Sequence, residues 1–319
     1  MTASTVTTSL EGTTSYTGHP RYEGANISTF IGFKSFMLLA EDAVLQHFRE
    51  RGFGPQKLFT DYGLGLTIVS SSARLVETMH TDDVIGGTVT AGPPRPGTSA
   101  VPFAVRLTAN HGGADVPVLT GKLLVSLVTE RDGTAVLPVP GELAPFVVPR
   151  IGDGTGTALP AADDAAAREA LAASSGNDFR WKWPIPYYAC HYYTRIQHSA
   201  YVKLLEEAVD RYLEHVGLPI TGLLAQRDWI PVVSRARADL HADAYMGEVL
   251  QITFTVDDII KDTLFTARMN CHVQRGGELV HVASATIMHG YVLARGAGAF
   301  SDLVTLDAAT QQALLRRAA

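Results

Sequence analysis

Between Cys190 and Ala208, CHYYTRIQHSAYVKLLEEA, the groups able to do chemistry are crowded: His191, Arg195, His198, Tyr201 and Glu206. The two histidines change charge near neutral pH, so either can take or hold a proton. A helix beginning between Thr194 and Ser199 leaves the amides around Gln197 and His198 ahead of its first hydrogen bonds, where they can bind a developing oxyanion. A proton acceptor beside such donors is what cleavage of an activated carbonyl requires. Each residue also has a plainer reading: a histidine in an aromatic strand as a hydrogen-bonded structural residue, a glutamate on a helix as its solvated face, Tyr201 as packing.

The element that positions these groups is an amphipathic helix. Tyr201, Leu204, Leu205, Ala208, Tyr212 and Val216 recur three or four apart, with Lys203, Glu207, Asp210 and Glu214 on the other side. Thr194 and Gln197 fit a capping box, and Gly217 followed by Pro219 closes the segment. The first half of the chain repeats the pattern: Phe30, Phe33, Met37, Ala40, Val44 and Phe48 share that spacing. Glu41 matches Glu206, Thr29 matches Thr194 and Gly52 matches Gly217, all 165 positions apart. Residues 65–90 match 230–255 in strand pattern, so the chain reads as a tandem duplication.

In order, 1–18 reads as a disordered lead-in, 19–130 as repeat one, 131–182 as a Gly/Pro/Ala-rich connection, 183–295 as repeat two and 296–319 as a tail helix. Repeat one should open with a strand over 19–25 and a central helix over 27–51, then strands over 66–77, 83–91, 103–109 and 117–129. Repeat two should place strands over 232–239, 249–257, 263–272 and 279–293. Within the connection only 161–173 can form a helix, and GDGTG at 152–156 reads as a loop rather than a phosphate site.

With 319 residues, 46% of them hydrophobic, the chain can fill two cores. A net charge of -6 and the lack of clustered basic runs argue against nucleic acid as partner. The two cysteines form neither a metal-ligand pattern nor a disulfide framework, which suits a reducing, cytoplasmic setting. No HxH or HExxH pair appears, so neither a metal nor another cofactor is expected. No apolar run reaches the ~18 residues of a membrane span.

One long helix followed by an antiparallel meander, twice over, is an α+β layout in which a sheet wraps an apolar helix. The CHYYTRIQHSAYVKLLEEA segment resembles the first strand, corner and helix of the hydroxybenzoyl-CoA thioesterase-like hotdog family, and the whole chain resembles a double hotdog. The resemblance implies an acyl thioester hydrolase acting on acyl-CoA or acyl carrier protein, with a homodimer of double hotdogs as the assembly. In that family a catalytic carboxylate lies ten residues before a helix Tyr. That count reaches His191 from Tyr201 and Asn26 from Phe36, so neither half keeps the Asp. The enediyne-type thioesterases, which the chain also resembles, carry Asn, Tyr and a helix Arg; here Asn26 lacks the Tyr and the Arg position falls on Val44 or Val209. This likeness points towards polyketide-type secondary metabolism. Glu41 and Glu206 stand where other hotdog enzymes place a helix carboxylate.

The candidate catalytic set is therefore His191, His198, Asn26, Glu41, Glu206 and Tyr201, with Arg195, Arg235 and Arg237 as substrate contacts. Because repeat one presents Phe30, Phe33 and Phe36 where repeat two has Arg195, His198 and Tyr201, repeat two should keep the chemistry, with Glu41 or Asp42 facing it from repeat one. Two other readings stay open: a hotdog dehydratase or cyclase, although GHPRYEG spaces His19 and Gly24 wrongly for it, and a non-catalytic acyl-binding scaffold.

Overall fold

In the computed structural model, which describes residues 10–27, 29–94, 97–130, 137–152, 158–177, 179–294 and 303–315, the duplication is visible element by element. The first half contains β1 (Gly12–Gly18), α1 (Phe33–Glu50), α2 (Pro55–Tyr62), β2 (Leu64–Leu75), β3 (Ile85–Ala91), β4 (Val101–His111) and β5 (Ala114–Thr129). A connection follows with β6 (Val147–Val148), β7 (Ala158–Pro160) and α3 (Asp164–Ser175). The second half contains β8 (Trp181–Pro184), α4 (His198–His215), α5 (Ile220–Arg227), β9 (Trp229–Leu240), β10 (Val249–Ile260), β11 (Leu264–Arg275) and β12 (Glu278–Leu293), and α6 (Ala308–Leu314) forms the tail.

Ten strands pair antiparallel in the order β1-β3-β4-β5-β2-β9-β12-β11-β10-β8, with β7 added antiparallel to β12 and β6 parallel to β5. Each half is a hotdog, and the two join edge to edge where β2 pairs with β9, which removes two strand edges that would otherwise be exposed. At this seam Ser72 lies opposite Arg237, its own counterpart 165 positions on, so a pseudo-twofold axis passes through that pair. The buried stripes of α1 and α4, including Phe36, Val44 and Phe48 in one and Tyr201, Leu205 and Tyr212 in the other, fill the core that the sheet wraps. Both helices end at a glycine with positive φ, Gly52 at +79° and Gly217 at +80°, a conformation that a side chain would disfavour. No helix among the described residues is long and apolar enough to cross a membrane.

Several expectations need correction. The first strand is Gly12–Gly18, within the segment read as a lead-in; Thr14 and Tyr16 alternate inward, but a strand of Gly, Thr and Ser carries little hydrophobic signal. Residues 1–9 lie outside the described residues. Helix α1 starts at Phe33 rather than at 27 because the bridges Ala25↔Ile31 and Phe30↔His80 hold that stretch extended. No side chain caps α4, so the Thr194/Gln197 capping box does not form. Helices α2 and α5 were missed; each follows a Pro-containing entry, with Pro55 inside α2 and Pro219 capping α5. Helix α3 forms as expected with Asp163 capping the Ala166 amide at 2.8 Å, whereas most of the GDGTG segment lies outside the described residues.

Three imidazoles stack at one end of the second half: His241 and His281 have centroids 4.5 Å apart, His281 and His272 4.7 Å. Burial pushes His272 and His281 down to about 4. Their unfolded forms bind more protons, so the stability that these rings contribute is complete above about pH 6.5 and is lost as pH falls toward 4. At pH 5 each protonation mismatch costs on the order of 2 kcal/mol. Thermal melts should show Tm falling between pH 7.5 and 5, with a smaller fall in His272→Phe; equal falls in both proteins would refute this assignment.

Candidate active site

The corner before α4 is built by backbone pairing. Cys190 bridges Ile196, Arg195 bridges Tyr245, and the Gln197 amide donates to Ala189 O at 3.0 Å. Inside the corner the Tyr193 amide donates to His191 O at 2.8 Å across Tyr192, whose φ is +62°. A three-residue turn with a positive-φ tyrosine is a strained conformation of the kind that clusters at functional sites. Tyr192 is held there by stacking on Phe59 of α2, centroids 4.9 Å apart, so a helix of the first half positions a turn of the second.

Arg195 is the corner's anchor and not a substrate contact. It is 6% exposed and pairs with Glu130 at 3.0 Å and with Asp243. Burial raises the Glu130 carboxyl and the guanidinium opposes that shift. Tyr201 also leaves the candidate set: it is 1% exposed in the core, where burial holds its phenol well above the usual range.

Helix α1 approaches this corner across the seam. A cavity of about 800 Å³ opens between them, walled by Glu41 and Arg49 of α1, Lys57 of α2, Thr67 of β2, and His191 and His198. His198 Nε2 lies 2.8 Å from Ser71 Oγ, and His198 Nδ1 lies 3.8 Å from Glu41 Oε2. A lone pair facing a carboxylate would be repelled, so the tautomer that fits places the proton on Nδ1, toward Glu41, with the Ser71 hydroxyl donating to Nε2. Serine, histidine and glutamate in this order resemble a nucleophile relay, but Ser71 has no exposed surface and cannot reach a substrate. Its role is to fix the ring.

His198 is also the first residue of α4, and the first turn is closed by Ala200 N–H to Gln197 O. The amides of His198 and Ser199 thus stand at the positive end of an eighteen-residue helix, where an oxyanion is stabilised. His191 lines the same cavity, and desolvation lowers its pKa against the opposing pull of Glu41's charge, which keeps the ring neutral near pH 7.

The pseudo-twofold equivalent is a smaller and more apolar pocket of about 200 Å³. Asn26 stands there for His191, Phe33 for His198 and Val232 for Thr67, while Ala236 occupies the β9 position equivalent to Ser71. Glu206, the counterpart of Glu41, is paired with Lys34 at 3.0 Å. Asn26 packs so closely on Gly32 that a Cβ there would lie 2.8 Å from its Oδ1. The structure therefore separates the candidates: His191, His198 and Glu41 share one cavity, whereas Asn26 and Glu206 line the other. Asp42 points elsewhere, accepting from Tyr16 at 3.0 Å. Arg235 and Arg237 lie on neither, since they line a groove on the outer face of the sheet. Sequence reading missed Ser71, Thr67, Tyr192 and Lys57; no local motif marks them, because their partners are distant in the chain.

The thioesterase-like superfamily is matched by residues 185–314. Solved structures similar over nearly the whole chain include the 12:0-ACP thioesterase from Umbellularia californica, with TM-score 0.60 and 13% identity over 88% of this chain and 94% of that one. A protein assigned as an oleoyl thioesterase from Lactobacillus plantarum gives TM-score 0.59 and 13% identity over 88% and 96%. An acyl-ACP thioesterase from Bacteroides thetaiotaomicron gives TM-score 0.52 and 9% identity over 87% and 97%. At such identities the likeness is one of fold, the double hotdog. No sequence among curated proteins matches the chain.

Proposed function

We propose that this protein hydrolyses an acyl thioester, carried on CoA or on an acyl carrier protein, at a single working site across the seam. The observation that carries the reading is the meeting of the Glu41 carboxylate from one half with the α4 N-terminus, His191 and His198 from the other around one cavity. The thioester carbonyl would lie at the His198 and Ser199 amides, so that charge developing on oxygen meets the helix dipole. Glu41 takes a proton from water as the water oxygen bonds to the carbonyl carbon. Collapse of the tetrahedral oxyanion breaks the C–S bond, and the departing thiolate takes up the proton held by Glu41, which restores the carboxylate. The Nδ1–H of His198 faces Glu41, while Ser71 keeps the ring in that tautomer.

The test is release of free thiol from a panel of acyl-CoA and acyl-carrier thioesters, including the polyketide-type chains that the enediyne-like residues suggest. Tight binding with no thiol release across the panel would replace this reading with a non-catalytic scaffold. His191→Ala should lower kcat/KM at least tenfold, about 1.4 kcal/mol of transition-state stabilisation, and barely move Tm, because the ring is half-buried at a turn. Asn26→Ala should have little effect on kcat/KM. The opposite pattern would move the active site to the smaller pocket.

A further inference from the structure

On β2, β4, β5, β9 and β11 the buried residues, among them Ala73, Val105 and Ala236, face the helices, which turns the alternate residues to the outer face of the sheet. There a groove of about 710 Å³ is lined by Arg74, Arg106, Lys122, Arg235, Arg237 and Arg268, with Asp257 as its carboxylate. The register sets these cations in two adjacent rungs. In one, Arg106 faces Thr120, which faces Arg74, which faces Arg235; in the other, Lys122 faces Ser72, then Arg237, Thr286 and Arg268. Asp239 pairs with Arg237 and Asp257 with Arg268, whereas Arg74, Arg106, Lys122 and Arg235 make no ion pair among the described residues. Arg74 directly opposite Arg235 is a destabilising like-charge pair, held in a chain whose net charge is -6.

We propose that this ladder docks an acidic helix of a partner protein. From β4 to β11 it crosses five strand spacings, about 24 Å, the length of a helix of about sixteen residues. Cations two strands apart are about 9.6 Å from one another, close to the ~10.5 Å between carboxylates at i and i+7. A second copy of the chain cannot use the same face, because cation would meet cation. The overall negative charge repels a long polyanion at a distance, which disfavours nucleic acid. None of the six cations lines the cavity of Glu41, so the proposal stands apart from the hydrolysis reading.

The experiment is fluorescence anisotropy with a labelled helical peptide of about sixteen residues, glutamates at i, i+3, i+4 and i+7, alongside its glutamine counterpart and an oligouridylate of equal length. Saturable binding of the acidic peptide is expected, weakened at least tenfold by Arg74→Glu with Arg106→Glu and, separately, by Lys122→Glu, while neither variant lowers Tm. Absence of saturable binding, equal binding by the variants or by the glutamine peptide, or tighter binding of the oligouridylate would each overturn the proposal.

Discussion

Glu41→Gln should lower kcat by two to three orders of magnitude, within the range by which a positioned proton acceptor accelerates a reaction. Gln keeps the length and most of the polarity of the side chain but cannot take a proton from water, so the loss should fall on kcat more than on KM. Stability should change little, because Glu41 sits at the cavity wall with its side chain 23% exposed rather than in the packed stripe of α1. Glu206→Gln is the internal control. That carboxylate holds the same helix position in the other half but faces Phe33 and Lys34 in place of a histidine, and its loss should leave kcat within about twofold. Steady-state thiol release measured on both variants separates the two sites.

Arg195→Leu should be the most destabilising single change, costing about 3–5 kcal/mol, because it leaves two buried carboxylates without their cation. Glu130 follows β5 in the first half and Asp243 follows β9 in the second, so the guanidinium also ties the halves together beside the corner. Urea unfolding should show a lower midpoint with the slope nearly unchanged. The sign of its pH dependence follows from burial. Without Arg195 the carboxyl of Glu130 keeps the upward push of desolvation and loses the opposing charge, so the deficit should shrink as pH falls and that carboxyl protonates. A deficit under 1 kcal/mol, or one that grows on acidification, would contradict this account of the corner.

Much of this was legible in the chain because local pattern governs it. The 165-position offset recurs in the helix starts Phe33 and His198, in α2 and α5, and in the first residues of β2 and β9. Helix periodicity and strand alternation depend on neighbours in sequence, so a duplication survives as repeated hydrophobic spacing even where polar residues have drifted. The facing of Glu41 toward the corner of the other half was also within reach, since a hotdog pair places its sites at the seam. The identities of its supports were not. His198 meets Ser71 from 127 positions away and Arg195 meets Glu130 from 65, and nothing in the spacing of RIQH distinguishes a buried ion-pair anchor from a ligand contact. Arg235 and Arg237 stand two apart on a strand and so share one face, but only the sheet shows that this face lies away from the cavity.

We propose one working seam site, built from the carboxylate of the first half and the helix N-terminus of the second. It is tested most directly by a crystal structure with an acyl-CoA analogue in which a methylene replaces the thioester sulfur. The ketone oxygen should lie within hydrogen-bonding distance of the His198 and Ser199 amides, with Glu41 on the open side of the carbonyl carbon. A ketone seated at the Phe33 and Lys34 amides, beside Asn26 and Glu206, would contradict it.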